Sequence, residues 1–256
     1  MNINAIRNQK EVGYYYLCVA FSILIYIILV LSTFGIVLVF ALFFLLSSWL
    51  FGQMFKAMVL GNCVKVSERQ FPDIHKLVTE AASSIGMPHV PDVFIYSSGG
   101  LLNAFAVKFL GGKYIILYSG IVDNILRRKS PGELKSIISH ELGHHAAGHT
   151  GLFKQILLIP ALSVPILGTA YKRACEYTAD RISYAVMNDA NIVCQSLLTL
   201  SHGTLILANQ ISKNEFLGQE SRIPGIMGFV FEISSGHPRL TRRIAAVEDF
   251  AAHYKA

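Results

Sequence analysis

The hydrophobic and polar positions of this chain fall into two regimes. From Val12 to Phe55 no charged residue occurs over 44 positions. A helix crossing a hydrocarbon core of ~30 Å needs about 20 residues, so the run predicts two crossings, near 12–31 and 36–55, joined by a tight turn around Ser32-Thr33-Phe34-Gly35. The apolar region of a signal peptide, roughly 7–15 residues, is far shorter. Arg7 and Lys10 precede the run, Lys56, Lys65 and Arg69 follow it, and the turn is uncharged. The positive-inside bias then places both flanks, and everything after residue 61, in the cytoplasm.

Past the hairpin the pattern becomes that of a globular domain. Val64 to Phe71 reads as a connector. Ile74, Leu77, Val78, Ala81, Ala82 and Ile85 share one face of a helix over 72–85 that Gly86 ends. Three β-rich runs follow, Val93–Tyr96, Leu101–Lys108 and Tyr114–Tyr118, separated by Gly99-Gly100 and Gly111-Gly112, which predict a small antiparallel meander. Its edge can pair with an extended peptide. Ser130-Pro131-Gly132-Glu133 then has the form of a capping box with proline at the first helical position, and it predicts a buried helix to about His149 carrying Leu134, Ile137, Ile138 and Leu142. The segment 151–170 is apolar but interrupted by Pro160 and Pro165. The expected fold is mainly α with a small antiparallel β-sheet, residues 62–256, behind a transmembrane hairpin, residues 1–61.

Composition agrees with this division: 53% of residues are hydrophobic and the mean hydropathy is +0.48, too apolar for an ordinary soluble protein. The net charge of +6 is scattered apart from Arg127-Arg128-Lys129. No basic helix with interleaved aromatics appears, so anionic lipid, not nucleic acid, is the expected partner. Cys18, Cys63, Cys175 and Cys194 show no C-x-x-C spacing, which fits a reducing compartment, and Cys175 reads as a small buried hydrophobe.

The helix at 131–149 carries the chemistry. Ser139 to His145 reads SHELGHH, and its core is H-E-x-x-H. On a helix His140 and His144 lie one turn apart and reach one metal ion, while Glu141 sits beside a metal-bound water. Chance supplies such a match about once in a hundred chains of this composition. The capped, packed helix favours a real site. His145 and His149 are rotated away from the pair and read as polar or supporting histidines. A catalytic zinc takes three protein ligands and a water. Glu176 supplies a third ligand, with Asp180 one turn on to accept a hydrogen bond from a ligating imidazole. An isolated E-x-x-x-D pair is more often a solvated helix face, but here 31 residues separate it from His144.

Taken in order, NAFA at Asn103–Ala106, YIILYSG, HELGH, RACEYTADR around Glu176 and HPRLTRRI at His237–Ile244 resemble the HtpX-like and CaaX-prenyl-type membrane zinc metalloproteases, over most of Val64 to Phe250. The resemblance implies a zincin-like catalytic domain with one Zn2+ per chain, held by His140, His144 and Glu176, and Glu141 as general base. It also implies that Asn103, Ala104, Phe105 and Ala106 lie on the strand that receives the backbone of an extended protein or peptide substrate, and that His237 and Arg243 approach the centre. His237 is the candidate electrophile for the developing oxyanion; nothing in the spacing aims Tyr177 or Tyr184 there. Arg243 is assigned to holding a carboxylate, that of Asp180 or of the substrate.

One departure bears on topology. Members of that family are expected to carry two hydrophobic segments between the two metal motifs, and this chain has room for about one. His144 and Glu176 must meet at one ion, so 151–170 is expected to be a kinked interfacial, re-entrant or buried segment that does not cross the membrane. The resulting expectation is a multi-pass protein of a bacterial inner or cell membrane, with a cytoplasmic endopeptidase domain acting in membrane-protein quality control. The rival reading is a noncatalytic zinc-binding adaptor or chaperone that holds extended peptides, and the intact Glu141 speaks against it. A transporter reading lacks a buried charge within the apolar run. No oligomeric state is legible.

Overall fold

The computed structural model describes residues 1–97, 104–109, 112–202, 207 and 210–254. A short helix α1 (Ile3–Ile6) precedes two long apolar helices, α2 (Gln9–Ser32) and α3 (Ile36–Asn62). At 24 and 27 residues each exceeds the ~30 Å of a bilayer core. The reversal at Thr33–Gly35 needs a left-handed backbone, and Gly35 supplies it at φ 84°. Most side chains of both helices face outward, and Phe34 at the tip is 96% exposed.

The remaining elements are β1 (Val64–Lys65), α4 (Pro72–Ile85), β2 (Asp92–Tyr96), β3 (Ala104–Phe109), β4 (Gly112–Tyr118), α5 (Ser119–Arg127) and α6 (Pro131–Ala146). After them come α7 (Leu152–Leu162), α8 (Pro165–Met187), α9 (Ala190–His202), α10 (Lys213–Gly218), α11 (Gly225–Ser234) and α12 (Leu240–His253). The fold is mainly α with a small sheet, but that sheet is mixed and not an antiparallel meander. Strand order is β1-β2-β4-β3: β3 pairs antiparallel with β4, and β2 pairs parallel with it. β4 takes the interior because Tyr114-Ile115-Ile116-Leu117 is apolar on both faces, as an interior strand requires. Ile115 and Leu117 join the main core, while Tyr114 and Ile116 pack with Phe94 and with Val59 from the end of α3. Val64-Lys65, read as a connector, pairs with Phe94-Ile95.

The main core gathers Ile74, Val78 and Ile85 of α4, Ile121 and Ile125 of α5, Leu134, Ile138 and Leu142 of α6 and Ile182 of α8. Each fully buried leucine or isoleucine contributes about 1.5–3 kcal/mol. A second cluster joins Tyr184 of α8, Val193 and Leu197 of α9, and Ile244 and Val247 of α12. α6 and α8 approach closely because Gly143 has no side chain. A Cβ there would stand 3.3 Å from Ile182 and 3.4 Å from the Ala179 backbone. Buried hydroxyls tie the same layer, with Ser136 Oγ 2.9 Å from both Ser183 Oγ and Ser196 Oγ.

The sequence places α6 correctly but misjudges both ends. Ser130 is the N-cap residue, yet its side chain makes no capping bond. Glu133 instead binds Arg128 at 2.7 Å and accepts from Thr199, so the capping box is not formed. The helix stops at Ala146, where Gly148 at φ 75° turns the chain back. The stretch 151–170 is two elements. α7 is 11 residues long, about 16 Å and too short to cross a bilayer, and the chain bends at Ser163-Val164 before Pro165 opens α8. The bend is tight: a Cβ on Gly168 would meet Leu162 Cα at 2.6 Å and Ala161 O at 2.8 Å. Gly168→Ala is expected to cost about 1–3 kcal/mol by overpacking against backbone. Gly218→Ala, with nothing within 4 Å, should leave the unfolding midpoint unchanged. Equal midpoints for the two variants would contradict the packing described.

Candidate metal centre

Three helices converge on one point: α6 brings His140, Glu141 and His144, α8 brings Glu176 and Asp180, and α12 brings Arg243. His140 Nε2 lies 3.2 Å from His144 Nε2 and 3.5 Å from Glu176 Oε2, and His144 Nε2 lies 3.5 Å from Glu176 Oε1. Donors bound tetrahedrally at zinc distances stand about 3.4 Å apart, so this spacing fits a single such ion. The electrostatics of the cluster favour positive charge there. Burial alone would lower the pKa of His140, yet the hydrogen bonds it donates to Asp180 and Glu176 push it up to about 10. Burial raises the Glu176 carboxyl, but Arg243 first, and then His140, His144 and His237, hold it well below the usual carboxylate range.

Around these donors is a shell of oriented partners. His140 Nδ1 is 2.9 Å from Asp180 Oδ1, which leaves Nε2 facing the shared point. Arg243 grips Asp180 with two bonds, Nε to Oδ2 at 2.8 Å and Nη2 to Oδ1 at 2.7 Å, and its Nη1 reaches Glu176 Oε2 at 3.1 Å. His237 stands at the mouth, largely exposed, with Nδ1 3.2 Å from Glu176 Oε2. Glu141 is buried in the wall of the same cavity, about 920 Å³ in volume, which extends past Ala104 and along Leu158, Ile159 and Leu162 to Phe44 of α3. Ala104 opens the outer strand β3, where Phe105 and Ala106 pair by backbone with Ile116 and Ile115. Asn103 lies outside the described residues. Tyr184 is buried against Phe250 and Tyr254, away from this cavity.

Sequence reasoning missed how His149 and Glu11 take part. His149 Nδ1 is 2.8 Å from His144 Nδ1, and its Nε2 is 3.1 Å from Glu11 Oε1. Burial first, partly offset by Glu11, lowers the His149 pKa to about 4, so the ring is neutral. One tautomer chain satisfies all contacts: His144 Nδ1–H donates to His149 Nδ1, His149 Nε2–H donates to Glu11, and His144 Nε2 keeps its lone pair for a metal. Glu11 also accepts from Thr178 Oγ1 at 2.5 Å and pairs with Arg7. Helical phase misplaced His149 because α6 ends three residues earlier. The one available signal for Glu11 was its place as the last charge before the uncharged run. His145 is structural, 2.8 Å from Thr150 Oγ1 and 3.1 Å from the Tyr114 carbonyl.

Glu11, His149 and Cys175 form a second group spaced for a metal. It is the weaker candidate, since Glu11 is already paired with Arg7 and accepts from Thr178.

The profile of Peptidase family M48 matches residues 68–162 and 151–251. The plastoglobule-localized metallopeptidase 48 of Arabidopsis thaliana chloroplasts is 29% identical over 175 residues, 62% of this chain and 49% of that protein. A Protease HtpX homolog of Pyrobaculum calidifontis is 36% identical over 78 residues, 30% of this chain and 21% of that protein. Protease HtpX homolog 2 of Methanosarcina acetivorans is 25% identical over 224 residues, 72% of this chain and 74% of that protein. The chain thus spans about half the length of the plant relative and less of the Pyrobaculum one. With both metal motifs and the HPRLTRRI segment inside the matched residues, the chain belongs to peptidase family M48.

Proposed function

We propose that this chain is a membrane-anchored, zinc-dependent endopeptidase that cuts protein substrates bound in extended form. The observation that carries the reading is the trio of donor atoms on His140, His144 and Glu176 at zinc spacing, with Glu141 beside them. When bound, zinc makes water nucleophilic near neutral pH and polarises the scissile carbonyl. Glu141 takes the proton of the attacking water and returns it to the leaving amine. His237, at the mouth, donates to the developing oxyanion. Asp180 and Arg243 keep His140 and Glu176 oriented, and His149 does the same for His144. The substrate backbone runs along β3 from Ala104, with Asn103, Phe105 and Ala106 in the same recognition segment.

Residues 1–61 are the membrane hairpin and 62–256 the catalytic domain, whose α7 and bend pack beside Ser22 and Tyr26 of α2 and return without crossing. Both hairpin ends rest on that domain, which supports this topology. Asn8 N donates to Thr178 at 3.0 Å, Arg7 Nη2 donates to the Ala147 carbonyl at 2.9 Å, and Val59 packs on the sheet. The basic flanks support a cytoplasmic position for this side, and in a bacterial inner or cell membrane the role in view is membrane-protein quality control.

Two outcomes test this reading. The purified full chain should cleave casein, lose activity to a chelator and regain it with zinc; cleavage untouched by chelation would remove the metal from the reaction. His149→Ala should weaken zinc affinity by about 10–100-fold while the fold is kept. Unchanged affinity in a competition titration would show that His144 needs no support from His149.

A further inference from the structure

α11 is apolar on almost every side and largely uncovered. Ile226 is 76% exposed, Phe229 65% and Met227 64%, and Val230 and Phe231 are exposed as well. Gly228 is the one fully buried residue of the helix, and a Cβ there would meet Ile223 at 2.5 Å; Glu232 and Ile233 are half-buried. The helix has one charged residue, Glu232, which is paired with Arg242 and lies 3.5 Å from Arg239. Patches of this kind mark a surface that something covers.

The depth of α11 says what covers it. α8 runs antiparallel to α2: Thr178 meets Asn8 and Glu11, Tyr171 meets Tyr15, and Ala161, just before α8, donates to Ser22 Oγ at 3.2 Å. α11 is bolted to the part of α8 that runs beside the uncharged run. Thr169 Oγ1 donates to the Ile233 carbonyl at 2.6 Å, and Arg173 Nη1 donates to the Ser235 carbonyl at 2.9 Å. Its C-terminal end therefore lies near the level of Tyr15, roughly 5 Å of helix beyond Val12 where the uncharged run begins. Amphipathic and apolar helices that lie in a bilayer surface sit about 5–10 Å below the headgroup boundary. Lys172 and Arg222, both exposed, flank it with positive charge suited to anionic headgroups.

We propose that α11 is a further membrane contact, an interfacial helix whose Ile226, Met227, Phe229, Val230 and Phe231 lie in the lipid beside the hairpin. It fixes the mouth of the metal centre, carried on the adjoining Ser235–Pro238 segment, at the membrane surface. The inference rests on the reading of α2 and α3 as membrane spans, and the native Trp49 on α3 separates the two. Full-length protein is reconstituted in phosphatidylcholine and phosphatidylglycerol vesicles with and without lipids brominated high on their acyl chains. Emission is read from the native chain, from Phe229→Trp in a Trp49→Phe background and, should that variant fold poorly, from Ile226→Trp in the same background. Expected is bromolipid quenching of the α11 indole of the same order as that of Trp49, with protection from acrylamide. Free acrylamide quenching of the α11 indole, with Trp49 still quenched by lipid, overturns the proposal alone. So does protection from both quenchers, which would mean a protein partner or a second copy covers α11. A Trp49 insensitive to brominated lipid overturns the hairpin reading and this proposal with it.

Discussion

Glu141→Gln is expected to bind zinc as the native chain does and to cleave roughly 10²–10⁴-fold more slowly. That is the usual contribution of a positioned general base. The side chain is buried in the cavity wall next to the two histidines and is none of the three donors spaced for the ion, so the amide should leave the donors in place. Metal content measured beside peptide hydrolysis checks both halves. Full activity would take Glu141 out of the reaction, and loss of metal would make it a ligand. The rival adaptor reading differs here, because a chain that only holds peptides has no cleavage to lose.

Arg243→Ala should be the most damaging substitution for the fold. The guanidinium is buried and satisfies Asp180 twice and Glu176 once. Removing it leaves two buried carboxylates short of a cation, and breaking a buried pair in this way costs about 3–5 kcal/mol. A lysine cannot fork across both oxygens of Asp180 and still reach Glu176, so Arg243→Lys should recover only part of the loss. Unfolding midpoints in mild detergent, with Asp180→Asn and the double variant completing a cycle, measure the coupling. A wild-type midpoint for Arg243→Ala would mean that the carboxylates are held by their other partners.

What was legible in the sequence was periodic or local. The uncharged run gave the hairpin, the apolar face of 72–85 gave α4, and the i, i+4 spacing put His140 with His144 and Glu176 with Asp180. What escaped depended on where the chain turns. Strand composition sets no order, so placing β4 between β2 and β3 required knowing that its two-sided apolar run takes the interior. His149 was misplaced by carrying helical phase through Gly148, and Glu11 lies 138 residues from the histidine it binds. Glu133 shows the same limit: a capping-box pattern was present, but Arg128 and Thr199 drew the carboxylate elsewhere.

The proposed function requires that His140, His144 and Glu176 share one zinc that peptide cleavage needs. Zinc stoichiometry and casein hydrolysis measured on the native chain and on Glu176→Ala test it most directly. One zinc per native chain with chelator-sensitive cleavage is expected, and loss of both in Glu176→Ala while the hairpin and helices remain folded. One zinc retained at native affinity by Glu176→Ala, or cleavage by native chains free of metal, would contradict it.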